Sequence, residues 1–246
     1  MRLKRLSVLL VALGVAHQAR AAQDSLLGIS FSTDPASKAA SVPMQIVILL
    51  SVLTLLPAIV MCLTPFLRIS IVLHFLRQAL ATQSTPSNQV LIGLALFLTL
   101  LLMHPVLEDI YTKSWEPMEK GQITMEQAID SGSKPLKQYL LRYAREKDIR
   151  LFVELSHDPA PTGPADLTLK VIIPAYIISE LRTGFQIGAV LYLPFLVIDL
   201  TVASITLSIG MMQLPPVMIS APFKILLFVL VDGWNLVIGS LVKSFG

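Results

Sequence analysis

Several ionisable side chains interrupt otherwise apolar stretches in the last third of the sequence. They are Glu180, Arg182, Asp199, Lys224 and Asp232. A charge that faces lipid is costly, so such residues normally face a protein interior or a water-filled path and find partners there. The pattern predicts buried charges that pair within one chain or between copies. The residues alone leave open whether they line an ion path or conduit, or pack between subunits.

The other reactive residue types form no recognisable catalytic or metal-binding pattern. The four histidines are scattered, and none stands beside cysteine or carboxylate residues at metal-ligand spacing. The sequence contains no glycine-rich phosphate loop, no HExxH motif and no serine in a nucleophile elbow. We therefore predict a protein that is not an enzyme and that needs no cofactor and no metal.

An unusual turn separates two hydrophobic runs near the end of the chain. It lies in SIGMMQLPPVMISAPFK, residues 208–224, and its members are Gly210, Met211, Met212, Gln213, Pro215 and Pro216. Turns between membrane helices usually carry polar residues, whereas this one carries methionines. Methionine is unbranched, flexible and apolar, so a ring of methionines can close a hole by packing and still deform around varied side chains.

The composition is typical of a membrane-associated chain. Of 246 residues, 54% are hydrophobic and 14% are charged, and the mean hydropathy is +0.72. Residues 1–21 read as a secretory signal peptide cleaved after Ala21, and the competing interpretation is an uncleaved membrane helix. The single cysteine, Cys62, excludes an intrachain disulfide. The basic residues form no stripe, which argues against nucleic-acid binding.

The hydropathy pattern predicts an all-α membrane-associated fold with four main hydrophobic helices in two hairpins. Residues 22–43 form an extracytoplasmic linker, 44–107 the first hairpin with its basic connecting segment, 108–166 a small helical extracytoplasmic domain, and 167–246 the second hairpin with the Met-Pro turn. The connecting segment carries bases and no acid, which places it in the cytoplasm by the positive-inside rule.

Prolines and the bounds of the hydrophobic runs predict where individual helices begin and end. Pro57 and Pro65 predict a kink or break in the first hydrophobic helix, and Pro135 suits the first turn of a polar helix after Ser133. The hydrophobic runs after the polar domain are 171–179, 185–209 and 225–242.

Two further patterns concern helix contacts. In the basic segment, Leu67, Ile71, Phe75 and Leu76 recur at helical spacing. Gly184 and Gly188 form a GxxxG motif, and small residues recur at Ala203, Ser204, Ser208 and Gly210. Small residues permit close helix contact and, with the buried charges, favour an oligomer.

Three stretches carry a resemblance to a known family. IPAYIISELRTGFQIG, LPFLVIDLTVASITLSIGMMQLPPVMIS and APFKILLFVLVDGWNLVIGSL closely resemble the FliP family of flagellar export-gate proteins, and less closely its paralogues in virulence type III secretion. The likeness runs from about residue 42 to residue 246. The N-terminal signal fits the flagellar branch, whose members typically carry one.

The resemblance implies a pore-forming core subunit of the flagellar type III export gate, which passes unfolded flagellar subunits across the bacterial inner membrane. It implies a multi-pass protein in the flagellar basal body with residues 108–166 in the periplasm. The expected assembly is a helical homo-oligomeric pore of several copies, five being the expected number. The expected partners are FliQ-like and FliR-like gate subunits and FlhA-like and FlhB-like export proteins.

The resemblance also assigns the methionine turn. The matching loop is the lumen gasket, which falls here on Met211 and Met212, with Gln213 where many relatives carry a third methionine. The alternative from another class is an ion-coupled secondary transporter or ion channel subunit in which Asp199 and Lys224 bind an ion or proton. That alternative lacks the internal inverted repeat that such folds often show.

Overall fold

The structure is a computed structural model that describes residues 42–82, 84–156, 161, 163–164, 166–210 and 215–246. The predicted signal peptide, residues 1–21, and nearly all of the predicted linker lie outside the described residues. Over the described ranges the chain is all-helical and contains no strand. The α-helices are α1 (Val42–Leu63), α2 (Phe66–Ala79), α3 (Asn88–Ile110), α4 (Glu116–Glu119), α5 (Met125–Tyr143), α6 (Glu146–Ser156), α7 (Leu169–Ser208), α8 (Pro216–Leu230) and α9 (Gly233–Lys243).

The chain divides into two compact units, residues 1–57 and 58–246. In the first unit, the described part is helical and its described side chains are exposed. The second unit contains residues 108–166, called the polar region below, and two buried ion pairs among its described residues.

Helix α2 forms the centre of the second unit. Its residues Ile69, Val72 and Leu73 are fully buried and share one apolar cluster with residues of α3 and with Leu241 of α9. The segment predicted to be helical is therefore helical, but the predicted face is shifted. Leu67, Ile71 and Phe75 are only half-buried, because the side that packs most deeply runs through Ile69, Val72, Leu73 and Leu76.

Proline breaks the helices less often than the sequence predicts. Pro65 coincides with the boundary between α1 and α2, as expected, whereas α1 continues through Pro57 and α3 through Pro105. Helix α3 ends in a π-helical turn, Tyr111–Trp115. A proline inside a helix removes one backbone donor, and the remaining turns can accommodate that loss locally.

The polar region contains α5 and α6. Helix α5 begins at a capping box in which the Thr124 hydroxyl accepts from the backbone N–H of Gln127 and the Gln127 side chain accepts from that of Thr124. The expectation that Pro135 occupies a first turn after Ser133 is wrong. Because the capping box starts the helix at Met125, Pro135 lies in its middle and is buried.

The last hydrophobic segments differ from the predicted runs. Residues 171–179 and 185–208 belong to one uninterrupted helix, α7, of 40 residues. At 1.5 Å per residue, α7 is roughly 60 Å long. The predicted run 225–242 is instead two helices, α8 and α9, bent by 68° at Val231 and Asp232. Within the described residues, three helices are long and apolar enough to cross a membrane, or four if the bent pair counts as one span.

Candidate functional site

A buried ion pair joins α7 to α8. Lys224 Nζ donates to Asp199 Oδ2 at 2.5 Å, and the Ser220 hydroxyl donates to Asp199 Oδ1 at 2.5 Å. Ser220 precedes Lys224 by one helical turn, so both side chains leave α8 on the same face. Lys224 is 1% exposed and Asp199 is 19% exposed at their side chains. Both carboxylate oxygens of Asp199 thus have a partner within the chain.

The ion pair and a neighbouring aromatic contact show the relative direction of α7 and α8. The rings of Phe195 and Phe228 also contact each other, with centroids 6.5 Å apart. Phe195 lies one turn before Asp199 in α7, whereas Phe228 lies one turn after Lys224 in α8. The two helices therefore run antiparallel and form a hairpin. The connection between α7 and α8 is therefore the tip of this hairpin. Helix α7 ends at Ser208, which lies nine residues, or roughly 14 Å, beyond Asp199.

The hairpin tip carries the predicted gasket. Met211, Met212 and Gln213 lie outside the described residues, so their assignment stays a prediction. On one side of the tip, Gly210 has a φ of 82°, a left-handed conformation that favours glycine. On the other side, α8 begins with Pro216 after Pro215 in an extended conformation. The flanking side chains of Ile209 and Met218 are 68% and 73% exposed.

A second buried ion pair joins α2 to α7. Arg68 Nε donates to Glu180 Oε2 at 2.9 Å, and Arg68 Nη2 donates to Glu180 Oε1. Arg68 is 3% exposed and Glu180 is fully buried. The fork of two parallel bonds is the strongest geometry for an arginine and a carboxylate. Because Arg68 of the facing helix α2 neutralises Glu180, α7 can continue through this charged residue.

The sequence pattern does not identify Arg68 as the partner of Glu180. The available signal was helical spacing: Arg68 precedes Val72 by one turn and Ile69 by one residue, which places it on the buried face of α2. A base on the apolar face of a helix is a candidate for a buried pair.

Arg182 and Asp232 are exposed in the single chain. Asp232 stands at the bend between α8 and α9 with φ 51° and ψ 52°. The structure therefore does not bring either residue to one of the two buried pairs. Their role as contacts between subunits stays a prediction.

The GxxxG motif makes its close contact inside the chain. A Cβ at Gly184 would lie 3.2 Å from Ile71 Cβ, and a Cβ at Gly188 would lie 2.6 Å from Phe75 Cγ. These two glycines therefore let α7 approach α2, a contact that needs no second copy. Of the other small residues, Ser204, Ser208 and Gly210 are exposed and remain available to a partner.

A polar recess of about 430 Å³ opens beside the Lys224–Asp199 pair. His74, Arg77 and Tyr192 also line it, and His74 lies 3.1 Å from Arg77 Nη2 through its Nδ1 atom. Each oxygen of Asp199 accepts a hydrogen bond from α8. Among the described residues, no group of three histidine, cysteine or carboxylate side chains could hold a metal ion.

The polar region has its own buried aromatic contact. Tyr139 of α5 and Tyr176 of α7 approach to 3.5 Å between their hydroxyls. Burial raises the pKa of the Tyr139 phenol above its ordinary value, because the phenolate would lose hydration there. Ser179 adds a second polar link: its hydroxyl donates to Asp148 Oδ2 at 2.6 Å and accepts from the backbone N–H of Arg145 at 2.9 Å. Both links attach the polar region to α7.

Most of the chain matches a known protein family. The model of the FliP family matches residues 49–241. The chain is 46% identical over 222 residues to the flagellar biosynthetic protein FliP of Bacillus subtilis (strain 168), covering 90% of this chain and 100% of that protein. It is 50% identical over 201 residues to the FliP protein of Pectobacterium carotovorum subsp. carotovorum, covering 82% of this chain and 78% of that one. The FliP protein of Caulobacter vibrioides is also 50% identical over 201 residues, covering 82% of this chain and 76% of that protein.

Proposed function

The chain belongs to the FliP family, and on that premise we propose that it is a pore-forming core subunit of the flagellar type III protein export gate. The family places it among the components of the flagellar export apparatus, and its apolar helices fit a multi-pass protein of the inner membrane. Its role in the gate is non-enzymatic. Unfolded flagellar subunits pass through the lumen that several copies enclose.

The α7–α8 hairpin carries this proposal. Its ion pair joins opposite charges inside the chain, and the described residues next to the tip, Ile209 and Met218, expose apolar side chains. Exposed apolar surface at the end of the α7–α8 hairpin indicates an interaction site. We assign that site to the lumen of the gate, where the same tip from each copy meets the others.

The tip acts as a gasket through Met211, Met212 and Gln213. Flexible apolar side chains pack against one another when no substrate is present and deform around a passing chain. The closed ring is dry, and a dry apolar constriction excludes ions and water. Gln213 adds an amide at one level of the ring.

Assembly uses the apolar faces that the single chain leaves uncovered. On α7 the exposed large side chains include Phe185, Val190 and Val197, each more than half exposed. We propose a homo-oligomer of five copies with FliQ-like and FliR-like subunits in the same gate. FlhA-like and FlhB-like proteins are further partners, and residues 108–166 face the periplasm.

The gasket is tested by ion leakage. Met211→Ala with Met212→Ala is expressed together with the whole gate, and passive ion flux across the inner membrane is measured. The matched control is Met61→Ala, because Met61 is an exposed methionine of α1 and lies outside the α7–α8 hairpin. We expect increased leakage only in the turn variant. Unchanged conductance would refute a gasket role for the turn.

The assembly is tested by its composition. The complex is extracted in detergent and its intact mass is measured. We expect five copies of this chain together with two other hydrophobic subunits. Extraction of this chain as a single copy that alone drives ion-coupled solute uptake would overturn the proposal.

A further inference from the structure

Glu180 does not contact Nη1 of the Arg68 guanidinium. Ser244 and Phe245, which follow α9, cover that side of the guanidinium. The guanidinium has five N–H groups, and Glu180 takes only those on Nε and on one side of Nη2. Arg68 Nη1 donates to the backbone oxygen of Ser244 at 3.1 Å and to the Ser244 hydroxyl at 3.2 Å. Ser244, directly after α9, therefore supplies acceptors for a part of the buried guanidinium that Glu180 does not reach.

Phe245 closes the same side by stacking. The guanidinium carbon of Arg68 lies 3.9 Å from the centroid of the Phe245 ring, and Phe245 is 7% exposed. An arginine over an aromatic face gains a cation–π attraction, which is strongest where water is excluded. Phe245 thus both attracts the cation and keeps water from it.

Tyr143 holds this cover in place from the polar region. Its hydroxyl donates to the backbone oxygen of Phe245 at 2.5 Å, and its ring contacts the Phe245 ring with centroids 5.6 Å apart. Tyr143 is the last residue of α5. One contact chain therefore runs from the polar region through Phe245 to Arg68 of α2 and Glu180 of α7.

We infer that Ser244 and Phe245 form a lid over the buried Arg68–Glu180 pair, and that Tyr143 latches this lid to the polar region. When the lid is closed, Arg68 Nη1 keeps both of its acceptors on Ser244 and α9 is fixed against α2. When the latch is released, Arg68 Nη1 loses its acceptors, water reaches the pair, and α9 can move relative to α2. The lid is thus a conformational device that couples the polar region to the bent pair α8–α9. The lid needs no second copy, because all its parts belong to one chain.

The latch is tested by hydrogen–deuterium exchange on the full chain in detergent. Tyr143→Phe removes the hydroxyl that binds Phe245 and keeps the ring. Tyr139→Phe is the matched control, because it removes a buried hydroxyl from the same helix one turn earlier without touching the lid. We expect exchange of the amides in residues 241–246 to accelerate about tenfold in Tyr143→Phe, and by less than about twofold in the control. Equal acceleration in both variants would overturn the latch.

The lid is tested by the dependence of Phe245 on the ion pair. Phe245→Ala is compared with the wild type by thermal unfolding, once in the native chain and once in the double variant Arg68→Met with Glu180→Met. If Phe245 covers the cation, its truncation lowers Tm at least twice as far in the native chain as in the uncharged background. An equal loss in both backgrounds would show that Phe245 is ordinary apolar packing, and it would overturn the lid.

Discussion

Gly188 of α7 faces the ring of Phe75 of α2 so closely that a methyl group at position 188 would lie 2.6 Å from the ring carbons Cγ and Cδ2. It would also lie 3.0 Å from Phe75 Cβ, which cannot swing away as a ring edge can. The glycine therefore sets the distance between these two helices. Gly184 repeats the contact one turn earlier against Ile71.

Gly188→Ala is expected to destabilise the chain by about 1–3 kcal/mol, because overpacking forces a shift of Phe75 and of the backbone behind it. The matched control is Gly93→Ala in α3, where no atom lies within 4 Å of the added carbon. There the alanine is expected to stabilise the helix by up to about 1 kcal/mol. Thermal unfolding in detergent measures both changes. A neutral Gly188→Ala variant would contradict the tight contact.

Lys224→Met is expected to destabilise the chain by about 3 kcal/mol, since it leaves Asp199 without its cation in a largely buried place. Adding Asp199→Leu removes the unpaired charge and should restore most of the stability. The control is Lys134→Met, which breaks an exposed pair with Asp130 and should cost less than about 1 kcal/mol. Failure of the double variant to recover would mean that the pair itself, and not the stranded carboxylate, determines stability.

The sequence predicts the helices and the buried charges better than it predicts their partners. Hydropathy identifies an all-helical chain because apolar runs of membrane length have few alternatives. It does not show that Glu180 is neutralised by Arg68, 112 positions away, because such a pairing depends on how α2 packs on α7. Without that pairing, the charges at positions 180 and 182 look like a helix end, and α7 is divided wrongly.

Local chemistry explains the other differences. Thr124 and Gln127 form a capping box that starts α5, so Pro135 is left inside the helix rather than in its first turn. The bend at Asp232 is equally local, yet an aspartate in an apolar run does not by itself indicate a bend, because aspartate only occasionally adopts a left-handed conformation. The GxxxG motif was informative about a close contact and uninformative about whether the partner helix belongs to the same chain.

Asp232 tests the bend between α8 and α9. Because its φ is 51°, Asp232→Gly is expected to preserve or raise stability, while Asp232→Val should lower it by about 1–2 kcal/mol. Asp232→Asn keeps the tolerance for this conformation and removes the charge. If Asp232 contacts another subunit, the asparagine variant should impair gate assembly at unchanged Tm. Equal stability of the glycine and valine variants would contradict a strained bend.

Ser179 tests how the polar region is attached to α7. Ser179→Ala removes the hydroxyl shared by Asp148 and the backbone N–H of Arg145, and leaving these groups unpaired costs about 1–3 kcal/mol. The loss acts on α6, so trypsin should cut more rapidly at Lys147 and Arg150. The matched control is Ser204→Ala, where an exposed hydroxyl bonds only to Leu200 of its own helix. Cleavage that is unchanged in Ser179→Ala would show that apolar contacts alone hold α6 against α7.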